Sequence, residues 1–217
     1  MASFMVTGSS RGLGLALITR LASLPRTEVG TIIATARQDN SLLLKEIADN
    51  SSGRVKIVKL DVTNKTSVQE AATLVDQTLQ GKGLDYLINN AGATDWTLSG
   101  LQGISTTLGS FALAPQYRLS LCPAYKISKA ALNMLTLQYA QQYEGDGFTF
   151  LAISPGWLRT ELGSSRADLP VETGAEKTMN LILGANCAQN GKFLNIHVPG
   201  WENAPGPNQY NGEEIAW

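Results

Sequence analysis

Two groups of residues in this 217-residue chain have types and spacing that suit chemistry. The first is the loop Thr7-Gly8-Ser9-Ser10-Arg11-Gly12-Leu13-Gly14. Gly8 permits a tight turn, Gly12 lets backbone N–H groups approach a pyrophosphate, and Gly14 lets a following helix pack close. The N-terminus of that helix would face the anion with unused amide donors and the positive end of its dipole. The second group is Tyr125 and Lys129, four positions apart in Tyr125-Lys126-Ile127-Ser128-Lys129 and so on one face of a helix. A phenol with a pKa of about 10 is a poor acid or base at neutral pH, and a neighbouring ammonium favours its phenolate. Lowering that pKa by three units takes about 4 kcal/mol, a load that one ammonium and a cationic nicotinamide ring can share in a desolvated cleft.

Positioning these groups requires a scaffold, and the chain alternates short apolar runs with segments of helical period, the pattern of a parallel sheet with crossover helices. Strands are expected at Phe4 to Thr7, Thr31 to Thr35, Val55 to Leu60, Leu84 to Asn89, Phe148 to Ser154 and Lys192 to Val198. Helices are expected at Gly12 to Leu24, where Leu13, Leu15, Ala16, Ile18 and Leu21 mark the buried side, then Ser41 to Ala48, Ala124 to Tyr143 and Glu172 to Leu183. A further helix carries Val68, Ala71, Ala72, Val75 and Leu79 on one apolar stripe, capped by Thr63 or Asn64. No repeat, low-complexity tract or linker divides the chain, so a single domain over 1–217 is expected.

Composition narrows the partners. With 17 basic against 18 acidic side chains, net charge -1, the chain lacks the basic excess that nucleic acid binding demands. Its apolar runs fall far short of the roughly 18 residues needed to cross a bilayer. Cys122 and Cys187, in a chain without a secretory leader, read as reduced thiols in a cytoplasmic protein. At the end of the second strand no carboxylate stands within Ile32 to Arg37 to accept from an adenosine ribose. Arg37 stands there instead, and with Arg11 it offers charge-assisted bonds to a 2′-phosphate, which favours NADP(H) over NAD. Asp39 is the nearby acid within reach of the ribose.

The chain resembles the short-chain dehydrogenase/reductase family. Thr7 to Gly14 is similar to that family's cofactor loop, Asp61-Val62 to its adenine contact, Asn89-Asn90-Ala91-Gly92 to its fourth-strand motif, Tyr125 to Lys129 to its catalytic pair, and Ser154-Pro155-Gly156 to its nicotinamide-side turn. Within the family, Ala34 to Arg37, Pro155 to Gly163 and the ending Tyr210 to Trp217 resemble the C-factor or sniffer-like carbonyl reductase group. The resemblance implies an α/β, Rossmann-type doubly wound parallel sheet and NADPH-dependent hydride transfer to a ketone, aldehyde or imine of a small organic substrate. It places cofactor contacts on Gly8, Ser10, Arg11, Gly12, Leu13, Gly14, Arg37, Asp61, Val62, Asn90, Ala91, Gly92, Pro155, Gly156, Leu158 and Thr160. Tyr125 becomes the proton donor and Lys129 the residue that holds the ribose and tunes Tyr125, while Thr160 and the backbone near Leu158 orient the carboxamide.

Two departures from the family pattern stand out. The family's carbonyl-binding serine, in an Ile-Ser-Ser-x-x-Gly segment, aligns with Thr106 of Ile104-Ser105-Thr106-Thr107-Leu108-Gly109, and Ser105 is the reserve. In addition, only Ala93 to Gly100 separate the fourth-strand motif from the Leu101 to Ser105 run expected as a fifth strand. Eight residues cannot form a crossover, which needs about a dozen. The family has a helix there, bearing a catalytic asparagine and much of a homodimer interface. Either the protein lacks that helix between strands 4 and 5, or residues are missing from the sequence; a mass above that of 217 residues would show the second. The missing asparagine motivates two rival readings, a redox-silent cyclase or isomerase on the same scaffold and an NADPH-binding protein without turnover.

Three other features are quieter. His197, the only histidine, is expected as a structural residue, and no ligand cluster marks a metal site. Trp96, Trp157 and Trp201 suit either a hydrophobic substrate pocket or ordinary packing. Gly200 to Gly212 reads as a surface loop or lid.

Overall fold

The first apolar run becomes β1 (Ala2–Val6), with Phe4 and Val6 buried on its inner face. It opens the first of two compact units, Met1–Ala91 and Gly92–Trp217, in a computed structural model that describes residues 1–38, 40–91 and 104–217. In the first unit β1 leads through α1 (Gly12–Ser23) to β2 (Val29–Ala36), through α2 (Leu42–Asn50) to β3 (Val55–Lys59), and through α3 (Lys65–Leu79) to β4 (Tyr86–Ile88). The four strands form one sheet in the order β3-β2-β1-β4, and every pairing is parallel. Parallel neighbours need crossovers, and the three helices supply them. The expected strands therefore form, with ends shifted by one to three residues: β2 gains Val29 and Gly30, and β4 keeps only the middle of Leu84 to Asn89.

Two expectations about helix faces are corrected. On α1 the buried face is Gly14, Leu17, Ile18 and Leu21, whereas Leu13, Leu15 and Ala16 are only partly covered. On α3 it is Ala71, Val75 and Leu79, which join Ile33, Val58 and Leu60 in one cluster, while Val68 and Ala72 are exposed. The apolar residues outnumber the positions that one sheet face can cover, and spacing of about four residues decides which turn inward. Asn64, not Thr63, caps α3, its Oδ1 accepting from Ser67 N at 3.0 Å.

The second unit contains α4 (Pro123–Gln142), β5 (Leu151–Ser154), α5 (Val171–Leu183) and β6 (Lys192–Asn195), with β5 and β6 paired in parallel. The chain end returns along β6: Ile215 N donates to Phe193 O at 2.7 Å, and the Trp217 ring stacks on Phe193 at 5.4 Å. Of the expected fifth strand, Ile104 and Ser105 lie in no strand, and Leu101 to Gly103 fall outside the described residues. The gap from Ala93 to Gly100, and with it the question of the helix between strands 4 and 5, falls outside them as well.

Candidate active site

The glycine loop lies between β1 and α1 and is held from both sides. Ser9 N donates to Thr35 O at 2.7 Å on the β2 side, and Thr7 N donates to Ile88 O at 3.0 Å on the β4 side. Thr7 Oγ1 accepts from Asn90 N (3.0 Å) and Ala91 N (2.8 Å), while Asn90 Nδ2 reaches back to Thr7 O (2.9 Å) and Gly8 O (3.2 Å). The family motif after the fourth strand thus acts here as a clamp on the loop. Gly14 is required by close approach, because a Cβ there would stand 2.2 Å from Gly8 O and 2.5 Å from Asn90 Nδ2.

This loop fits a pyrophosphate. Gly8 and Gly12 have φ of +70° and +55°, so the backbone turns its amides along a path that side chains would obstruct. The N-cap of α1, Arg11, makes no side-chain cap bond, and the first turn holds no acidic residue. Among the described residues, the first turn of α1 therefore puts no carboxylate in competition with an anion for that end. Ser10 is fixed by its carbonyl, which accepts from Ser41 Oγ at 2.8 Å, and Leu13 is partly buried in the first turn of α1. Arg37 follows β2 and is exposed. It is close enough to Asp61 to help hold that carboxyl below its usual range, behind the larger effects of the Thr63 hydroxyl and amide. Val62 is exposed beside Asp61, an apolar surface of the kind a flat base can cover. Gly92, Asp39 and Trp96 lie outside the described residues.

In the second unit α4 starts at Pro123, a residue suited to a first helical turn. Tyr125 is partly buried and Lys129 fully so, and the Lys129 ammonium lies 5.5 Å from the centroid of the Tyr125 ring. Lys129 Nζ donates to Ile104 O at 2.5 Å. One helical turn on, Asn133 is buried on the same face; it accepts from Ser105 Oγ and donates from Nδ2 to Gly109 O at 3.3 Å. Gly109 is needed for this contact, since a Cβ there would stand 2.8 Å from Lys129 Cβ and 2.9 Å from its carbonyl carbon. The two serine candidates consequently differ. Ser105 is buried and spends its proton on Asn133, whereas Thr106 is partly exposed and its Oγ1 accepts from Leu108 N at 3.4 Å, leaving its own proton to give. Asn133 is the residue that sequence reasoning missed; its place four beyond Lys129 was the available signal.

Pro155 and Gly156 follow β5, as expected. Leu158 is buried, and Thr160 turns its hydroxyl into its own loop, accepting from Gly163 N at 3.0 Å and lying 3.4 Å from Leu158 O. Trp157 is exposed at 43% and Trp201 lies against Tyr210, with ring centroids 5.3 Å apart. His197 Nε2 lies 2.9 Å from Glu202 Oε1 on the surface, and among the described residues no cluster of three or more His, Cys, Asp or Glu forms. Cys122 and Cys187 are free thiols, and no described helix is long and apolar enough to cross a membrane.

The electrostatics of the pair run against the expectation of a lowered phenol. Burial pushes Tyr125 up to about 12, with the neighbouring Cys122 adding to it, and burial pushes Lys129 down to about 7. Desolvation opposes charge on both groups and is the leading cause of both shifts. Lys129 therefore links folding to pH. Between about 7 and 10.5 the unfolded chain keeps a proton that the folded chain has released, so stability rises with pH across that window; below it both states keep the proton, and this group gives no further pH dependence. Tyr125 acts in the opposite sense from 10.0 to about 12, where only the folded chain keeps its proton. In urea unfolding, Lys129→Met is expected to flatten the rise in stability between about pH 7 and 10. An unchanged slope would remove Lys129 from the linkage.

A parallel sheet with a glycine turn opening its first helix, and a Tyr/Lys pair on a later helix, define a dinucleotide-dependent oxidoreductase fold. Residues 3–105 match the short chain dehydrogenase family. The short-chain dehydrogenase/reductase AacuF of Aspergillus aculeatus is 30% identical over 201 residues, covering 72% of this chain and 74% of that protein. Among solved structures, the NADPH-bound carbonyl reductase from chicken fatty liver superposes with a TM-score of 0.82 at 25% identity, covering 100% of this chain and 99% of that one. The carbonyl reductase Sniffer of Drosophila melanogaster shares the fold with a TM-score of 0.83 at 24% identity, covering 100% of both chains. The chain belongs to the short-chain dehydrogenase/reductase family, with the Rossmann-type fold of its carbonyl reductases.

Proposed function

We propose that this protein is an NADPH-dependent reductase that transfers hydride to a ketone, aldehyde or imine of a small organic substrate, with residues 1–217 acting as one catalytic domain. The observation that carries this reading is the face of α4, where Tyr125 and Lys129 lie together in a dry environment and the Ile104–Gly109 segment is bonded to the same helix. Family membership supports it, as does the NADPH bound in the chicken carbonyl reductase. NADPH, when bound, supplies the hydride to the carbonyl carbon. Tyr125 delivers the proton to the carbonyl oxygen, and its raised pKa keeps that proton in place at neutral pH. Thr106 donates a hydrogen bond to the same oxygen, with Ser105 and Asn133 fixing its segment. Protonated Lys129 stabilises the phenolate left on Tyr125. The glycine loop and the α1 N-terminus hold the pyrophosphate, and Arg37 with Arg11 holds the 2′-phosphate.

The test is loss of NADPH absorbance with a panel of ketones, aldehydes and imines. Conversion of substrate with no cofactor consumed would replace this reading with the cyclase or isomerase. Arg37→Ala is expected to weaken NADPH roughly tenfold to a hundredfold, the loss of one charge-assisted bond, and NADH less than about twofold. Calorimetry with both cofactors checks this, and an equal loss for both would refute the phosphate assignment.

A further inference from the structure

The turn after β5 is braced by a residue far along the chain. Tyr210 is buried, and its backbone is tied on both sides, its N–H donating to Trp201 O at 3.1 Å and its carbonyl accepting from Val198 N at 2.9 Å. Its hydroxyl joins the two ends of the loop that follows the turn. It accepts from Trp157 N at 3.1 Å and donates to Asp168 Oδ2 at 2.6 Å. That carboxylate oxygen also accepts from Asn208 Nδ2 at 2.7 Å, and the Tyr117 hydroxyl lies 3.2 Å from Asn208 Oδ1 and 3.0 Å from Pro207 O. The Tyr210 ring lies against the turn itself, its Cε1 standing 3.2 Å from where a Cβ on Gly156 would be.

The loop closes without this hydroxyl. Leu169 N donates to Trp157 O at 3.1 Å, Arg159 N to Leu169 O at 2.9 Å, and Arg159 Nε to Ala167 O at 2.9 Å. What the hydroxyl adds is direction. By accepting from Trp157 N it sets the plane of the Gly156–Trp157 peptide, and through it the backbone of Leu158. Burial and the Asp168 carboxylate both keep the phenol protonated, so it remains a donor to Asp168 while accepting from Trp157. A part-buried network in which one hydroxyl bonds both ends of the loop holds that loop in one arrangement.

We propose that Tyr210, oriented by Asp168, is a positioning residue that presents the Gly156–Leu158 backbone to the nicotinamide end of the cofactor. This rests on the NADPH reading above. The experiment compares wild-type protein with Tyr210→Phe by calorimetry, using NADPH and adenosine 2′,5′-bisphosphate, which keeps the 2′-phosphate but has no nicotinamide. Tyr210→Phe weakens NADPH about tenfold or more, because the Trp157 N–H loses its acceptor and Asp168 Oδ2 loses one of its two donors. It leaves the bisphosphate within about twofold, and raises KM for NADPH more than KM for the carbonyl substrate. Asp168→Asn, which keeps an acceptor for Tyr210, shows the same selective loss at smaller size, and it serves also if Tyr210→Phe does not fold. Equal losses for both ligands, or none for either, overturn the assignment. A wild-type protein that binds neither ligand overturns the NADPH reading itself, and this assignment with it.

Discussion

Tyr125→Phe abolishes reduction to within background, a fall in kcat of about a hundredfold to ten-thousandfold, while NADPH affinity stays within about threefold. Removing one hydroxyl takes away the proton that must reach the carbonyl oxygen, and no other described side chain is placed to supply it. Lys129 is held by Ile104 O and sits over the ring rather than beyond it. The phenyl ring keeps the packing on α4, so the helix and the Asn133 contacts persist, and the thermal midpoint shifts little. The hydroxyl is already penalised when charged, as its pKa of about 12 records, so its loss removes no charge that the fold relies on at neutral pH. Steady-state kinetics and calorimetry on one preparation are the measurement. A variant that retains more than a tenth of wild-type turnover would remove Tyr125 from the mechanism.

The second large effect is structural in origin and functional in result. Gly14→Ala forces a Cβ to within 2.2 Å of Gly8 O and 2.5 Å of Asn90 Nδ2. Gly8 O belongs to backbone that Thr35, Ile88 and Asn90 already hold, so the helix rather than the loop has to move. That displacement separates the α1 amides from the loop amides, and a pyrophosphate needs both. Overpacking of this kind costs about 3 kcal/mol, or roughly 6–12 °C in Tm for a chain of this size. NADPH affinity should fall more than about a hundredfold, since the loop bonds to phosphate go together. Gly145→Ala is the control, because a Cβ there meets nothing within 4 Å. A Gly14→Ala protein with wild-type NADPH affinity would show that the loop does not hold the pyrophosphate.

Much of this protein was legible in its sequence because the information was local. The glycine spacing of Gly8, Gly12 and Gly14 specifies a turn that only one kind of strand-to-helix junction uses, and the four-residue step from Tyr125 to Lys129 specifies one helix face. Strands rich in Val, Ile and Ala came through with small end errors for the same reason. The face of α3 was less legible, since Val68 and Ala72 fit the apolar pattern as well as Ala71 and Val75 do, and only the sheet beneath selects between them.

What tertiary structure alone decided is which polar groups meet across long separations. The sequence put Thr106 first and Ser105 in reserve, but only the fold supplies a reason: Asn133, 28 positions from Ser105, takes the Ser105 proton and leaves Thr106 free to donate. Tyr210 and Asp168 are 42 positions apart, and nothing in the spacing of either marks the pair. The direction of the Tyr125 shift also belongs to the fold. The sequence supplied a cation four residues away, but the degree of burial sets whether attraction or desolvation wins, and burial is a property of everything packed around the pair. Local chemistry is written in local order, whereas burial and long-range partners exist only once the chain has folded.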